Sequence, residues 1–172
     1  MRNVRRGMLV GLILLTAAAT APLVVRWALS PRGPAIEVVL PSGATRTVTL
    51  AELRRLSVTT RSGEYQNQFG NWRDAGTYTG VRLADLLGDA EYETLEVVAA
   101  DGYRAPIERR RIESPEYPMI LAYAYDGVEV PNWEDGFRIA VLPEDGRVSN
   151  EEYDAISAGS YWVKNVVRLT LR

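Results

Sequence analysis

The chain has 172 residues, 47% hydrophobic and 24% charged, which suits one globular domain with a short additional segment. It contains no histidine and no cysteine, so disulfides, zinc and iron–sulfur sites and Ser-His or Cys-His catalysis are excluded. Residues 1–32 hold five arginines and no acid. The remainder carries fifteen basic against twenty-two acidic groups, an acidic balance that argues against nucleic acid, whose phosphates need a basic face.

Met8 to Val25 is an uncharged run of 18 residues, which as a helix would rise about 27 Å, enough to cross a hydrocarbon core. Arg2, Arg5 and Arg6 precede it, and positive charge stays on the cytoplasmic side. The expectation is a single-pass anchor in the cell membrane with the rest of the chain outside the cytoplasm. The competing expectation is a cleaved signal peptide, with Ala17-Ala18-Ala19 as the small-residue site and secretion as the outcome. Arg5-Arg6 also fits a twin-arginine export address loosely. Residues 1–30 are thus the anchor or leader, 31–35 a stiff Pro-rich linker, and 36–172 the folded domain.

Ile36 to Leu40 and Thr45 to Thr49 are predicted as a hairpin around Pro41-Ser42-Gly43. Leu50, Leu53 and Leu56 predict a short amphipathic helix, with Thr49 as N-cap and Glu52 completing a capping box. Ser57 to Thr60 reads as a strand. Residues 61–79 read as a long polar loop holding Tyr65, Phe69, Trp72 and Tyr78, and Gly80 to Leu87 as a helix ended by Gly88. Strands are predicted over Thr94–Ala100, Tyr103–Ile107, Met119–Tyr125, Val128–Val130 and Phe137–Leu142, with a charged helix over Glu108–Ile112. Residues 143–160 read as an acidic loop, and Trp162–Leu171 as a closing strand with a bulge. The fold class is α+β, a mixed sheet with short helices.

Taken in order, VTLAEL (48–53), TGVRLADLL (79–87), VVAADGY (97–103), ILAYAYDG (120–127), DGFRIAVLP (135–143) and WVKNVVRLTL (162–171) resemble the oxidoreductase molybdopterin-binding domain, the fold of the sulfite oxidase family. The resemblance implies a small stand-alone form of a scaffold that holds a molybdenum–pterin cofactor in enzymes moving oxygen atoms or electrons. Two departures matter. The family fixes molybdenum through a cysteine before the GVxLxDLL segment, where this chain has Thr59-Thr60-Arg61-Ser62-Gly63, and a serine hydroxyl is no substitute for a soft thiolate. The family also places an arginine three residues after the glycine of its Gly-x-x-Arg-x-x-x-Pro segment. That position here is Ile139, and Arg138, one residue early, is expected to face the other way and not to be the pterin or substrate arginine.

Lys164, the only lysine of the chain, stands where the family's closing segment meets the cofactor phosphate. In the aromatic stretch, Asn71 supplies hydrogen-bonding groups and Trp72 and Tyr78 flat surfaces. The candidate binding residues are Lys164, Ser62, Asn71, Trp72 and Tyr78, for a small anionic or pterin-like ligand; none is assigned as catalytic or as a metal ligand. The acids Glu144, Asp145, Glu151, Glu152 and Asp154 lack calcium-loop spacing, and Arg109-Arg110-Arg111 reads as a solvated charge run. The expected function is a non-redox ligand-binding or accessory module at the membrane. The alternatives are a molybdopterin-dependent oxidoreductase that keeps its cofactor without a cysteine ligand, and a protein-docking domain for a redox or membrane partner.

Overall fold

The computed structural model describes residues 33–172, so the anchor or leader expected over 8–25 lies outside the described residues. Among the described residues no helix is long and apolar enough to cross a membrane. The strands are β1 (Ala35–Val39), β2 (Thr45–Thr49), β3 (Val58–Gln66), β4 (Trp72–Arg82), β5 (Thr94–Ala99), β6 (Arg104–Glu108), β7 (Met119–Tyr125), β8 (Val128–Glu129), β9 (Arg138–Val141), β10 (Arg147–Val148) and β11 (Val166–Leu171). Three one-turn helices, α1 (Leu50–Leu53), α2 (Leu83–Leu87) and α3 (Arg109–Ile112), and a 3-10 turn at Ala158–Tyr161 complete the α+β domain.

One sheet runs β2-β1-β11-β5-β6 and is antiparallel except where β1 pairs with β11. In the other, β10-β3-β4-β7-β8, β10 runs parallel to β3 and β9 pairs with β7. Both sheets feed one core cluster, with Ile36, Leu95, Val97 and Leu169 from the first and Val81, Ile120, Leu121 and Val141 from the second. β7 is buried along nearly its whole length, the reason its sequence MILAYAY is apolar without alternation.

Local chemistry accounts for the boundaries. At α1 the Thr49 side chain accepts from the Glu52 backbone and Glu52 accepts from the Thr49 backbone, the expected capping box. Its apolar face is shorter than predicted, because the helix stops at Leu53 and Leu56 stays exposed. Gly88 ends α2 with φ +58°.

Three expectations are corrected. Residues 61–79 are not a loop but most of a long hairpin, β3 and β4, whose tip alone (67–71) is loop. Along β3 most side chains are polar because the strand is buried only at Gly63. The segment from Gly80 stays extended through Arg82, since Val81 and Arg82 pair with β7, so the helix starts at Leu83. The closing strand begins at Val166 rather than Trp162, with the predicted bulge at Val167, skipped as pairing passes from Val166 to Arg168.

Candidate functional site

A second bulge builds the site. On β4, Asp74 and Ala75 together oppose the single Glu64 of β3, because Gly63 faces Gly76 while Tyr65 already faces Arg73. Asp74 takes φ +53°, a left-handed conformation that aspartate tolerates better than most residues. Tyr78 Oη donates to the Asp74 carbonyl at 2.6 Å and Tyr125 Oη to the Ala75 carbonyl at 2.7 Å. These phenols satisfy main-chain acceptors at the irregularity, which would be costly to bury unpaired.

The bulge aims the Asp74 carboxylate at Arg138. Asp74 Oδ2 accepts from Arg138 Nη2 at 2.5 Å and Tyr65 Oη at 3.2 Å, and lies 3.2 Å from Lys164 Nζ. Asp135 Oδ2 accepts from Arg138 Nη1 at 3.0 Å and meets Lys164 Nζ at 3.1 Å. Two cations and two carboxylates therefore close a ring that is formally neutral. The Arg138 side chain is 1% exposed and that of Lys164 43%, so the ring has a buried base and an open rim. Tyr65, Tyr78 and Trp162 surround the guanidinium, with ring centroids 5.8, 5.6 and 5.4 Å from its central carbon. Gly63 makes room for this packing, since a Cβ there would stand 2.9 Å from Trp162 Cη2.

Burial pushes the Asp74 carboxyl up, but the bonds and charges of Arg138 and Lys164 outweigh it and hold the group below its ordinary value of 3.8. Burial likewise disfavours charge on Lys164 and is outweighed by Asp135 and Asp74, so the ammonium is held more firmly than usual. A carboxyl acidified by folding contributes stability that is present above its unfolded pKa and lost as pH falls through the folded one. Thermal melts between about pH 5 and about pH 2 are expected to show a steeper fall in Tm for the parent than for Asp74→Asn. Equal slopes would remove Asp74 from the acid response.

The sequence-derived candidates do not converge on one spot. Tyr78 and Lys164 meet through Asp74. Ser62 does not join them: Gly63 faces Leu142, Trp162 and Tyr78, so strand alternation turns the exposed Ser62 side chain to the opposite face. Asn71 is exposed beside the hairpin tip, and Trp72 lies under the Arg147 guanidinium, 4.1 Å away. Arg138, set aside by sequence reasoning, is the centre of the cluster. Alternation does hold, as Ile139 faces the core; the face left to Arg138 is the one Lys164 shares. Neither Asp74 nor Asp135 was among the expected binding residues. Among the described residues no group of three or more potential metal-ligating side chains forms.

A molybdenum–pterin group needs a soft ligand for its metal and a cationic seat for its phosphate. There is no thiol for the metal. The cations nearest the candidate site are already matched by Asp74 and Asp135. Along β3 the 143–148 segment closes in, with the position of a Cβ on Gly146 only 2.8 Å from the Ser62 carbonyl oxygen. Beside it a hollow of about 630 Å³ sets Glu116, Glu144, Asp145 and Glu152 against Arg61 and Arg147, and Arg147 is paired with Glu64. A dianionic phosphate would meet excess negative charge there. The described residues do not fit the group.

No family model and no curated protein matches the sequence. Among solved structures the chain is similar to the sulfane dehydrogenase SoxCD from Paracoccus pantotrophus, with a TM-score of 0.57 and 16% identity over 83% of this chain. The match covers 39% of that chain, and at this identity the likeness shows a shared fold.

Proposed function

We propose that the chain is a non-redox ligand-binding or accessory module on a sulfite-oxidase-type scaffold, anchored in the cell membrane by residues 8–25 with residues 36–172 outside the cytoplasm. The observation that carries the reading is the closed Arg138–Asp74–Lys164–Asp135 ring in a chain without a single thiol. Metal chemistry of this class needs a soft ligand and a cationic seat for phosphate. Here the cations serve the fold's own carboxylates. What remains is a scaffold of oxidoreductase type adapted to recognition.

A docking role has separate support. Phe69 at the β3–β4 tip is 77% exposed and Ile156 is 93% exposed. Asn150 laces their two loops together, donating from Nδ2 to the Asn67 carbonyl and accepting from the Ala158 backbone at Oδ1.

Metal analysis of full-length protein from a host that makes molybdenum cofactor tests the main reading. Molybdenum far below one atom per chain is expected; one tightly held atom per chain would overturn it. Carbonate extraction tests the anchor, with intact chain expected to stay with the membrane.

A further inference from the structure

A cavity of about 240 Å³ is lined in part by the chain neighbours of the ion-ring residues, Glu134 and Gly136 beside Asp135, Phe137 beside Arg138 and Asn165 beside Lys164. Its walls are mainly carbon, from Val130, Pro131, Trp133, Phe137, Val166 and Val167, and its polar wall groups include Glu134 and Asn165. The walls are stitched together: Asn165 N donates to the Asp135 carbonyl at 2.7 Å and Val166 N to the Phe137 carbonyl at 2.7 Å. Trp133 is stacked on Tyr125 at 5.8 Å with the planes 14° apart. The bulge residue Val167 is one of these wall residues. The cavity is thus preformed, the condition under which an apolar pocket binds without an ordering cost.

We propose that this cavity binds an uncharged aromatic ring system carrying one O–H or N–H donor. Size sets the first limit: an engineered apolar cavity of about 150 Å³ takes benzene, so this one admits two fused rings. Chemistry sets the second. The Glu134 carboxylate and the Asn165 amide oxygen accept hydrogen bonds, and an anionic ligand would be repelled by the former. Position sets the third. Pro34 lines the cavity, so the chain that follows the apolar run 8–25 enters the fold beside it. Residues 26–33 span at most about 28 Å when extended, which keeps the cavity near a bilayer. The ring is delivered either from that bilayer or from water. This deepens the reading of the chain as a ligand-binding module and rests on it.

The probe is 2-naphthol, titrated into full-length protein in lipid nanodiscs with empty nanodiscs subtracted. Saturable binding of one naphthol per chain is expected, with a dissociation constant on the order of 0.1 mM for so few atoms. Val167→Trp and Ala100→Leu, which each add bulk to the cavity lining, are each expected to weaken it at least about tenfold. A measurement on the unaltered protein stands beside the variants: magnetisation transfer from naphthol protons is expected at the methyls of Val130, Val166 and Val167. Absence of saturable binding, or transfer to other methyls, overturns the site. Naphthol bearing a long alkyl tail separates the sources. At least tenfold tighter binding supports delivery from the bilayer, and equal affinity overturns that delivery while supporting the ring site. Stoichiometric molybdenum would overturn the non-redox reading and leave this titration unaffected, so the two failures are distinguishable.

Discussion

Replacing Arg138 with methionine is expected to cost the fold about 3–5 kcal/mol, read from the midpoint of urea unfolding. The guanidinium is buried and joins Asp74 to Asp135; without it the two partly buried carboxylates keep the half-exposed Lys164 as their shared cation, and Asp74 the Tyr65 hydroxyl. Removing one partner of a buried pair is costly because the other charge stays behind. Adding Asp74→Asn to Arg138→Met is therefore expected to lose less than the two single changes summed, with a coupling of at least about 1 kcal/mol. Arg138→Lys should not rescue the fold, because a single ammonium cannot bond both carboxylates in the forked geometry. An Arg138→Met protein as stable as its parent would mean that the ring contributes no net stabilisation. The matched-charge argument for a non-redox module would then lose its foundation, since a cation the fold does not need remains free to serve a ligand.

The fold was legible wherever local rules decide. β2 and β7 begin and end at the expected residues, the Thr49–Glu52 box is present, and the bulge in the closing strand was anticipated. In each case the determining residues are within a few positions of one another. The β3–β4 hairpin beyond Thr60 was not legible. Most of its side chains are polar or glycine with scattered aromatics, and one face is largely open, so hydrophobic periodicity carries little signal. The site was the least legible. Asp74, Asp135, Arg138 and Lys164 arrive from β4, the turn before β9, β9 and the segment before β11, and their charges match only once the sheets are packed. Lys164 could be singled out as the lone lysine, but its partners could not. For Arg138, alternation correctly set it opposite Ile139; what lay on that face was set by a bulge some sixty residues earlier.

That dependence makes β4 the strand on which both fold and site are most sensitive, and Gly80 its least tolerant position. Gly80→Ala is expected to cost about 3 kcal/mol, the upper end of ordinary overpacking. A Cβ there would overlap the Leu121 carbonyl oxygen and stand 2.6 Å from Ala122 Cα. Both belong to the backbone of β7, which is buried and paired on both sides, so no rotamer change relieves the clash. Gly76→Ala offers the contrast. Its Cβ would strike the Tyr125 ring, a side chain able to swing outward at the loss of its bond to Ala75, so a cost of about 1–2 kcal/mol is expected. Urea midpoints for the two proteins give the ranking. Near-UV circular dichroism of Gly80→Ala should change as well, because parting β4 from β7 displaces Tyr78 and with it the packing on Trp162. If Gly80→Ala proves no worse than Gly76→Ala, β7 yields where its burial says it cannot. Asp74 would then be placed by its own bulge and phenol bonds alone, without support from a rigid neighbouring strand.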